Sequence, residues 1–392
     1  MKRFVLAFSL LLVVSLRAEA PKKVALARVP HGGMKPDVAV DARGTLHMVY
    51  FNGKTDAGDA FYVKSTDGGA TFSKPLKINS QPGSVQGIGN NRRPRLALGK
   101  DGRIHVLWNG STIAQPRGPL FQAMAADSPY NGMPLLYARL NDAGTVFEVQ
   151  RNLMKRSAAL DGGSAIAADS AGNVYGVWHA FLPNERGEED RAVWVARSTD
   201  DGKTFAAEQR AIAQPLGACG CCGLAAAADA KGNVYAFYRS ATQREERDSW
   251  LLASHDKGAT FTAAKLHSWH LNACPGSSFD LAPSASGLLG AWETKGQVYF
   301  AKLGAAEPAP IAAPDIGKGN TRKLPVVTAN AAGETLLVWL EGMGWQEGGA
   351  LAWQLYDKNG TPTAERGRAD GVPANGMAAA IARRDGRFTI YY

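Results

Sequence analysis

One pattern recurs seven times along the chain: a short apolar strand, a turn carrying Gly, then a strand that finishes on an aromatic. It reads DVAVDARGTLHMVYF from residue 37, RLALGKDGRIHVLW from 95 and SAIAADSAGNVYGVW from 164. It returns as LAAAADAKGNVYAFY from 224, DLAPSASGLLGAW from 280, VVTANAAGETLLVW from 326 and AAAIARRDGRFTIYY from 378. The turn glycines (Gly44, Gly102, Gly172, Gly232, Gly287, Gly333 and Gly386) supply the positive φ that such hairpins need. The flanking residues are β-branched, aromatic or Ala, without the 3.6-residue periodicity of helices. Intervals of roughly 50–65 residues suit four-stranded blades around an axis. The expected fold is all-β: one propeller of six or seven blades.

A second motif follows several hairpins: STDGGATF at 65–72, STDDGKTF at 198–205 and SHDKGATF at 254–261, with a looser LNDAGTVF at 140–147. Ser and Asp oxygens at this spacing satisfy backbone donors in a tight turn, and the Phe plugs the blade. The pattern resembles the Asp box (BNR repeat) of the sialidase-like β-propellers, over most of the chain. Asp67, Asp200 and Asp256 are therefore expected to be structural. Sialidases have six blades, whereas seven hairpins favour seven. The seventh lacks outer strands, and the segment KKVALARV at 22–29 offers one, closing the ring as a clasp.

Residues 1–20 carry two early cations, an apolar run from Phe4 to Leu16 and Ala18-Glu19-Ala20. They read as a signal peptide rather than a membrane span, leaving a propeller domain over 21–392, secreted or periplasmic and monomeric. Without them the formal charge falls from +9 to +7. A basic surface favours an anionic small ligand or acidic carbohydrate. Nucleic acid is not expected, because the basic residues are scattered.

Successive antiparallel strands alternate direction, so the turns fall on two rims. Naming blade strands A to D from the axis outward, Gly turns (A to B) and Asp boxes (C to D) share one rim. The ligand face is then built from what precedes strand A and follows strand B. It collects Arg92, Arg93, Arg322, Lys35, Asp161, His179, Tyr238, Arg239, Glu293, Glu341 and Trp345. It also collects all four cysteines: Cys219, Cys221 and Cys222, with Cys274 before the next blade. In an oxidising compartment these could form two disulfides. They could instead hold copper or zinc through Cys219, Cys222 and Cys274, with His267 and His270 completing the set, or form one disulfide plus a reactive thiol pair. No cofactor is required by the sequence. The combination of C-x-C-C, Tyr238-Arg239, the charged run QREERD at 243–248 and W-x-x-N-A-C-P at 269–275 resembles a group of secreted sialidase-like propellers. That resemblance implies that the cluster, Arg239 and Trp269 form one unit; the run alone reads as a solvated loop.

Sialidases grip a sugar carboxylate with three arginines and use a Tyr–Glu nucleophile pair. The resemblance implies Arg92, Arg239 and Arg322 as clamps with Arg93 beside them, and Tyr238 with Glu293 or Glu341 as catalytic groups. If the chain is an enzyme, it would be a glycoside hydrolase of exo-sialidase type. The first unit opens Met34-Lys35-Pro36, without the arginine sialidases carry there. The expected function is binding, with or without hydrolysis, of an acidic glycan at the channel mouth. The alternatives are a non-catalytic module stacking ligand on Trp345, Tyr238 and Trp269, and a propeller with a cysteine-based metal or redox site. His47 and His105, inside B strands, are expected to be packing residues.

Overall fold

The computed structural model describes residues 22–285, 287–304, 308–315, 321–344 and 346–392. The expected leader at 1–20 and Trp345 lie outside them. The described residues form seven sheets: six of four antiparallel strands and one of three. The A strands are Met34–Val40, Arg95–Leu98, Ala165–Ala168, Ala225–Ala228, Asp280–Ser284, Arg322–Ala329 and Ala379–Ala382, for blades 1 to 7. The chain is a seven-bladed β-propeller.

Blade 7 consists of Ala379–Ala382, Phe388–Tyr391 and a strand from the other end of the chain, Val24–Ala27, which pairs parallel to Phe388–Tyr391. The segment expected to clasp the ring does so. Val24 packs with Phe388 and Ile390, and Lys23 pairs with Glu334 of blade 6 at 2.6 Å.

All seven turn glycines have positive φ, from 75° at Gly102 to 114° at Gly287. A side chain at these angles is strained, so the repeat keeps glycine there. The aromatic that closes each unit has its own job. Trp108, Trp178, Trp292 and Trp339 are fully buried, as is Tyr50, because blades press on both faces of a B strand. Tyr238 occupies this same position in blade 4.

The three S-x-D-x-G-x-T-F turns share one hydrogen-bond scheme. Ser65 donates to Asp67 Oδ1 (2.7 Å) and accepts from Gly69 N (2.8 Å), while Asp67 accepts from Thr71 N and Oγ1 (2.9 and 2.6 Å). The same four bonds recur around Asp200 and Asp256. Hydrogen bonds from Ser65 and Thr71 hold the Asp67 carboxyl well below the usual range. In the looser copy Asn141 caps Thr145 N instead, and Asp142 turns to Arg103 at 2.6 Å. Asp201 N donates to Gly172 O (2.9 Å), so box and Gly turn meet on one rim.

The A strands enclose a cavity of about 510 Å³, in whose lining alanine is the commonest residue and Asp37, Arg93, Arg95 and Asp280 are the charged ones. Arg93 is part of its lining, donating to Pro36 O of blade 1 (3.0 Å) and Ala378 O ahead of blade 7 (3.4 Å).

Candidate functional site

Opposite the Asp boxes, the residue after each closing aromatic points toward the loop that feeds the next blade. In blades 2, 3, 4 and 5 these residues are Asn109, His179, Arg239 and Glu293. Asn109 Nδ2 donates to Gly162 O, and His179 Nε2 donates to Cys222 O, both at 2.9 Å. Arg239 donates to Glu293 O (2.5 Å) and Arg247 O (2.8 Å), with Glu293 Oε2 at 3.5 Å. Its guanidinium lies over the rings of Trp269 (4.8 Å) and Phe279 (5.2 Å). Repetition thus delivers four side chains in succession around one half of the mouth.

The cysteine loop sits among them. Cys221 is bonded to Cys274, and Cys219 and Cys222 are free and buried. Of the arrangements open to the sequence, the structure has one disulfide plus a thiol pair. Asn91, ahead of blade 2, reaches across to Cys221 O (2.6 Å), and Gly223 N donates to Ser277 O (2.8 Å). Gly220 lets the loop pass close to these groups: a Cβ there would stand 2.9 Å from Asp161 Oδ2 and 3.1 Å from Arg191 Nη2, and both side chains would have to shift. Gly162 faces Cys222 O in the same way, at 2.4 Å.

Three arginines surround the sulfurs. Arg191 lies over the Phe181 ring at 4.1 Å and faces Asp161, Glu188 and Cys219. Arg247 pairs with Glu188 at 2.7 Å, and Arg239 faces Cys222. Each has a buried Nε without a hydrogen-bond partner, as has Arg92. Burial pushes the Cys222 thiol up, but its hydrogen bond with Cys219 and the Arg239 charge outweigh this and bring it to about 7. Cys219 moves the other way, well above the usual thiol value, through that same bond and burial. Burial also raises Glu293 and lowers His179 to about 4.

At the edge of this cluster Asp161 is 41% exposed and stands 2.5 Å from Arg92 and 4.0 Å from Arg191. Lys35, fully buried, donates to the carbonyls of Gly89 and Arg92 and holds the Arg92 loop in place. Burial, with Arg92 and Arg93 nearby, lowers its ammonium well below the lysine value.

Several expected site residues lie elsewhere. Tyr238 packs between blades 3 and 4 with Val193, Leu224 and Leu252, and the pocket it borders is lined by Glu189, Arg191 and Arg210 rather than by Glu293 or Glu341. Glu341 is buried and accepts from Trp339 Nε1 (2.9 Å) and Arg368 (3.2 Å). Arg322 is taken up by Gln297, Ala313 O and Asp315. Arg93 is buried in the cavity wall, and Trp269 is only 8% exposed beneath Arg239. His267 accepts from Trp292 Nε1 (2.9 Å), and His270 is exposed beside Glu245 and Glu246, so neither joins the cysteines. Within the charged run 243–248, Arg247 and Asp248 are buried, and only its start is a solvated loop. His47 and His105 hydrogen-bond the hydroxyls of Tyr62 and Tyr137 (2.8 and 2.7 Å) inside their blades.

Sequence reasoning passed over Arg191 and Glu188, which lie in the B-to-C connection of blade 3. Aligning the hairpins on their closing aromatics would have separated Arg239 and Glu293 from Tyr238. It carries no signal for Arg191, because that connection has no repeat counterpart.

The sulfurs of Cys219, Cys221 and Cys222 lie within 4.8 Å of one another, a spacing that fits one soft metal ion. Cys221 cannot be a thiolate while bonded to Cys274. The three-sulfur site and the disulfide exclude one another.

No protein-family model matches the chain, and no curated protein matches it. Solved structures do. A Dyadobacter fermentans protein of unknown function aligns at 17% identity and TM-score 0.54, over 83% of this chain and 94% of its own. An ulvan lyase, a polysaccharide lyase bound to GlcA(1-4)Rha3S, aligns at 13% identity and TM-score 0.51, over 91% and 87%. A Trypanosoma rangeli sialidase in complex with 2,3-difluorosialic acid aligns at 14% and 0.51, over 81% and 53%. The chain shares its propeller fold with a sialidase. Identities this low show the fold alone. No helix among the described residues is long and apolar enough to cross a membrane.

Proposed function

We propose that the chain is a glycan-binding propeller that takes an acidic sugar at the rim where blades 2, 3 and 4 meet. The observation that carries this is the Arg92–Asp161–Arg191 contact. One half-exposed carboxylate stands against two largely buried guanidinium groups, each with an unpaired Nε. A ligand carboxylate or sulfate that replaces Asp161 would meet both cations, and Arg forks favour such planar anions. Two of the glycan-active structures that share the fold, the ulvan lyase and the sialidase, hold anionic sugars, which supports the choice of ligand class, while an arabinanase with the same fold holds neutral arabinobiose.

Binding is favoured over hydrolysis. Glu293 and Glu341 are each buried and held by arginine, and Tyr238 belongs to the blade core. A two-carboxylate mechanism needs both groups facing one sugar.

The test is calorimetric titration with a uronic-acid oligosaccharide and a sialoside, with a neutral oligosaccharide as control. Arg92→Met should weaken binding of the anionic sugar by about tenfold, the loss of one charge-assisted pair. Asp161→Asn should tighten it, because the competing internal carboxylate is gone. Equal affinity for neutral and anionic sugars, or no effect of either substitution, would reject the reading.

A further inference from the structure

The sulfur arrangement carries an inference independent of the glycan reading. Cys219 Sγ lies 3.4 Å from Cys221 Sγ, while Cys221 is already bonded to Cys274 of the next loop. A thiol is thus held in contact with one end of a disulfide. The four sulfurs also differ in access: Cys219 and Cys222 are each 1% exposed, Cys221 is half-buried, and Cys274 is exposed. Arg191 and Arg247 flank Cys219, and the Arg247 charge offsets part of the burial and Cys222 bonding that hold the Cys219 thiol above the usual value, while the contact with Cys221 supplies the proximity.

We propose that Cys219, Cys221 and Cys274 form a thiol–disulfide exchange centre that delivers a reactive thiol at Cys274 to a disulfide-bearing partner. The Cys219 thiolate attacks Cys221 Sγ. The Cys219–Cys221 bond forms as Cys221–Cys274 breaks, and the electron pair departs on Cys274. The proton released from Cys219 is replaced on Cys274 from solvent, so this step involves no net oxidation. The Cys274 thiolate then attacks an external disulfide, forming a mixed disulfide and releasing one thiol. The protein's thiol is oxidised and half of the external disulfide is reduced.

The geometry explains the direction of traffic. The exposed sulfur is the one that leaves, and the attacking sulfur is buried where outside reagents do not compete. Gly220 between the two joining cysteines has no side chain to resist the tightening of the loop. Opening Cys221–Cys274 also frees the loop before blade 5 from the loop before blade 4. The disulfide-bonded state and the exchanged state therefore differ at the mouth itself.

Oxidised glutathione is the probe. The purified protein, never exposed to reductant, is incubated with it, quenched in acid and peptide-mapped without reduction. The expected product carries one glutathione on Cys274 together with a Cys219–Cys221 bond. Cys219→Ser should lower the Cys274 adduct at least about tenfold, because the attacking sulfur is gone. Cys222→Ser, which keeps the attacking pair, should retain it, and this protects the test should the first variant fold poorly. Glutathione on Cys219 or Cys222 with Cys221–Cys274 intact would overturn the proposal. So would the absence of any adduct, or sulfurs shielded by a metal retained in the native mass. Glycan affinity is measured separately, so either result leaves the proposed function to stand or fall by itself.

Discussion

His179 Nε2 donates to the Cys222 carbonyl at 2.9 Å, which ties the second strand of blade 3 to the loop that opens blade 4. A carbonyl only accepts, so the proton sits on Nε2, and the buried Nδ1 has no partner. Protonating Nδ1 would place a second positive charge in a buried setting beside Arg191.

The first prediction follows from that ring. Its folded pKa is lowered to about 4 from 6.5 by burial and Arg191. Between those values the unfolded chain takes up a proton that the folded chain refuses, so stability falls as pH drops from about 6.5 to 4. The loss is on the order of 3 kcal/mol at about 1.4 kcal/mol per unit. Urea unfolding from pH 7 to 4 should show this term, and His179→Gln should remove it. An unchanged slope in the variant would contradict the assignment.

Asp280 acts in the opposite sense. It lines the channel wall, partly buried, accepts from Val327 N at 2.9 Å, and is raised from 3.8 to about 6, chiefly by loss of hydration. Here the folded state holds the proton more tightly, so stability falls as pH rises from about 4 to 6, by about 3 kcal/mol. Asp280→Asn keeps the acceptor and loses the titration. Its unfolding free energy should therefore drop more steeply on acidification than that of the wild type, because the His179 contribution is no longer opposed.

Arg239 and Glu293 form a buried pair, at 1% exposure each. Arg239→Met strands the carboxylate and should cost about 3–5 kcal/mol, whereas Glu293→Gln should cost less because Gly296 N keeps its acceptor. The double variant should fall short of the summed losses by about 1 kcal/mol or more. Strict additivity in denaturant titrations would show that the pair is not coupled.

Deleting residues 22–28 removes the clasp and bares the edge of Phe388–Tyr391. An uncovered strand edge recruits other chains. The truncated protein should melt at lower temperature and self-associate in light scattering. A monomer with an unchanged melting point would mean that the clasp contributes nothing.

The fold was largely legible in the sequence, because a propeller is written as repetition. Positive-φ turns demand glycine at a fixed place in every unit, and the gaps between blades demand an aromatic six residues after Gly44, Gly102, Gly172, Gly232 and Gly333. The three Ser–Asp turns are local too, each closed by bonds spanning four residues or fewer. Even the clasp could be read, since a hairpin without outer strands must find one elsewhere.

The site was legible only as a face. The sequence brought the four cysteines to one rim, but pairing Cys221 with Cys274 and leaving Cys219 and Cys222 free depends on where two loops from adjacent blades cross. Tyr238 and Arg239 are neighbours in sequence, yet a strand sends alternate side chains to opposite faces. One is core and the other faces the sulfurs. Arg191, Arg247 and Asp161 reach the same spot from three connections of unrelated sequence, and no local pattern records such a meeting. Short-range backbone rules determined the blades; long-range packing of irregular loops decided what they hold.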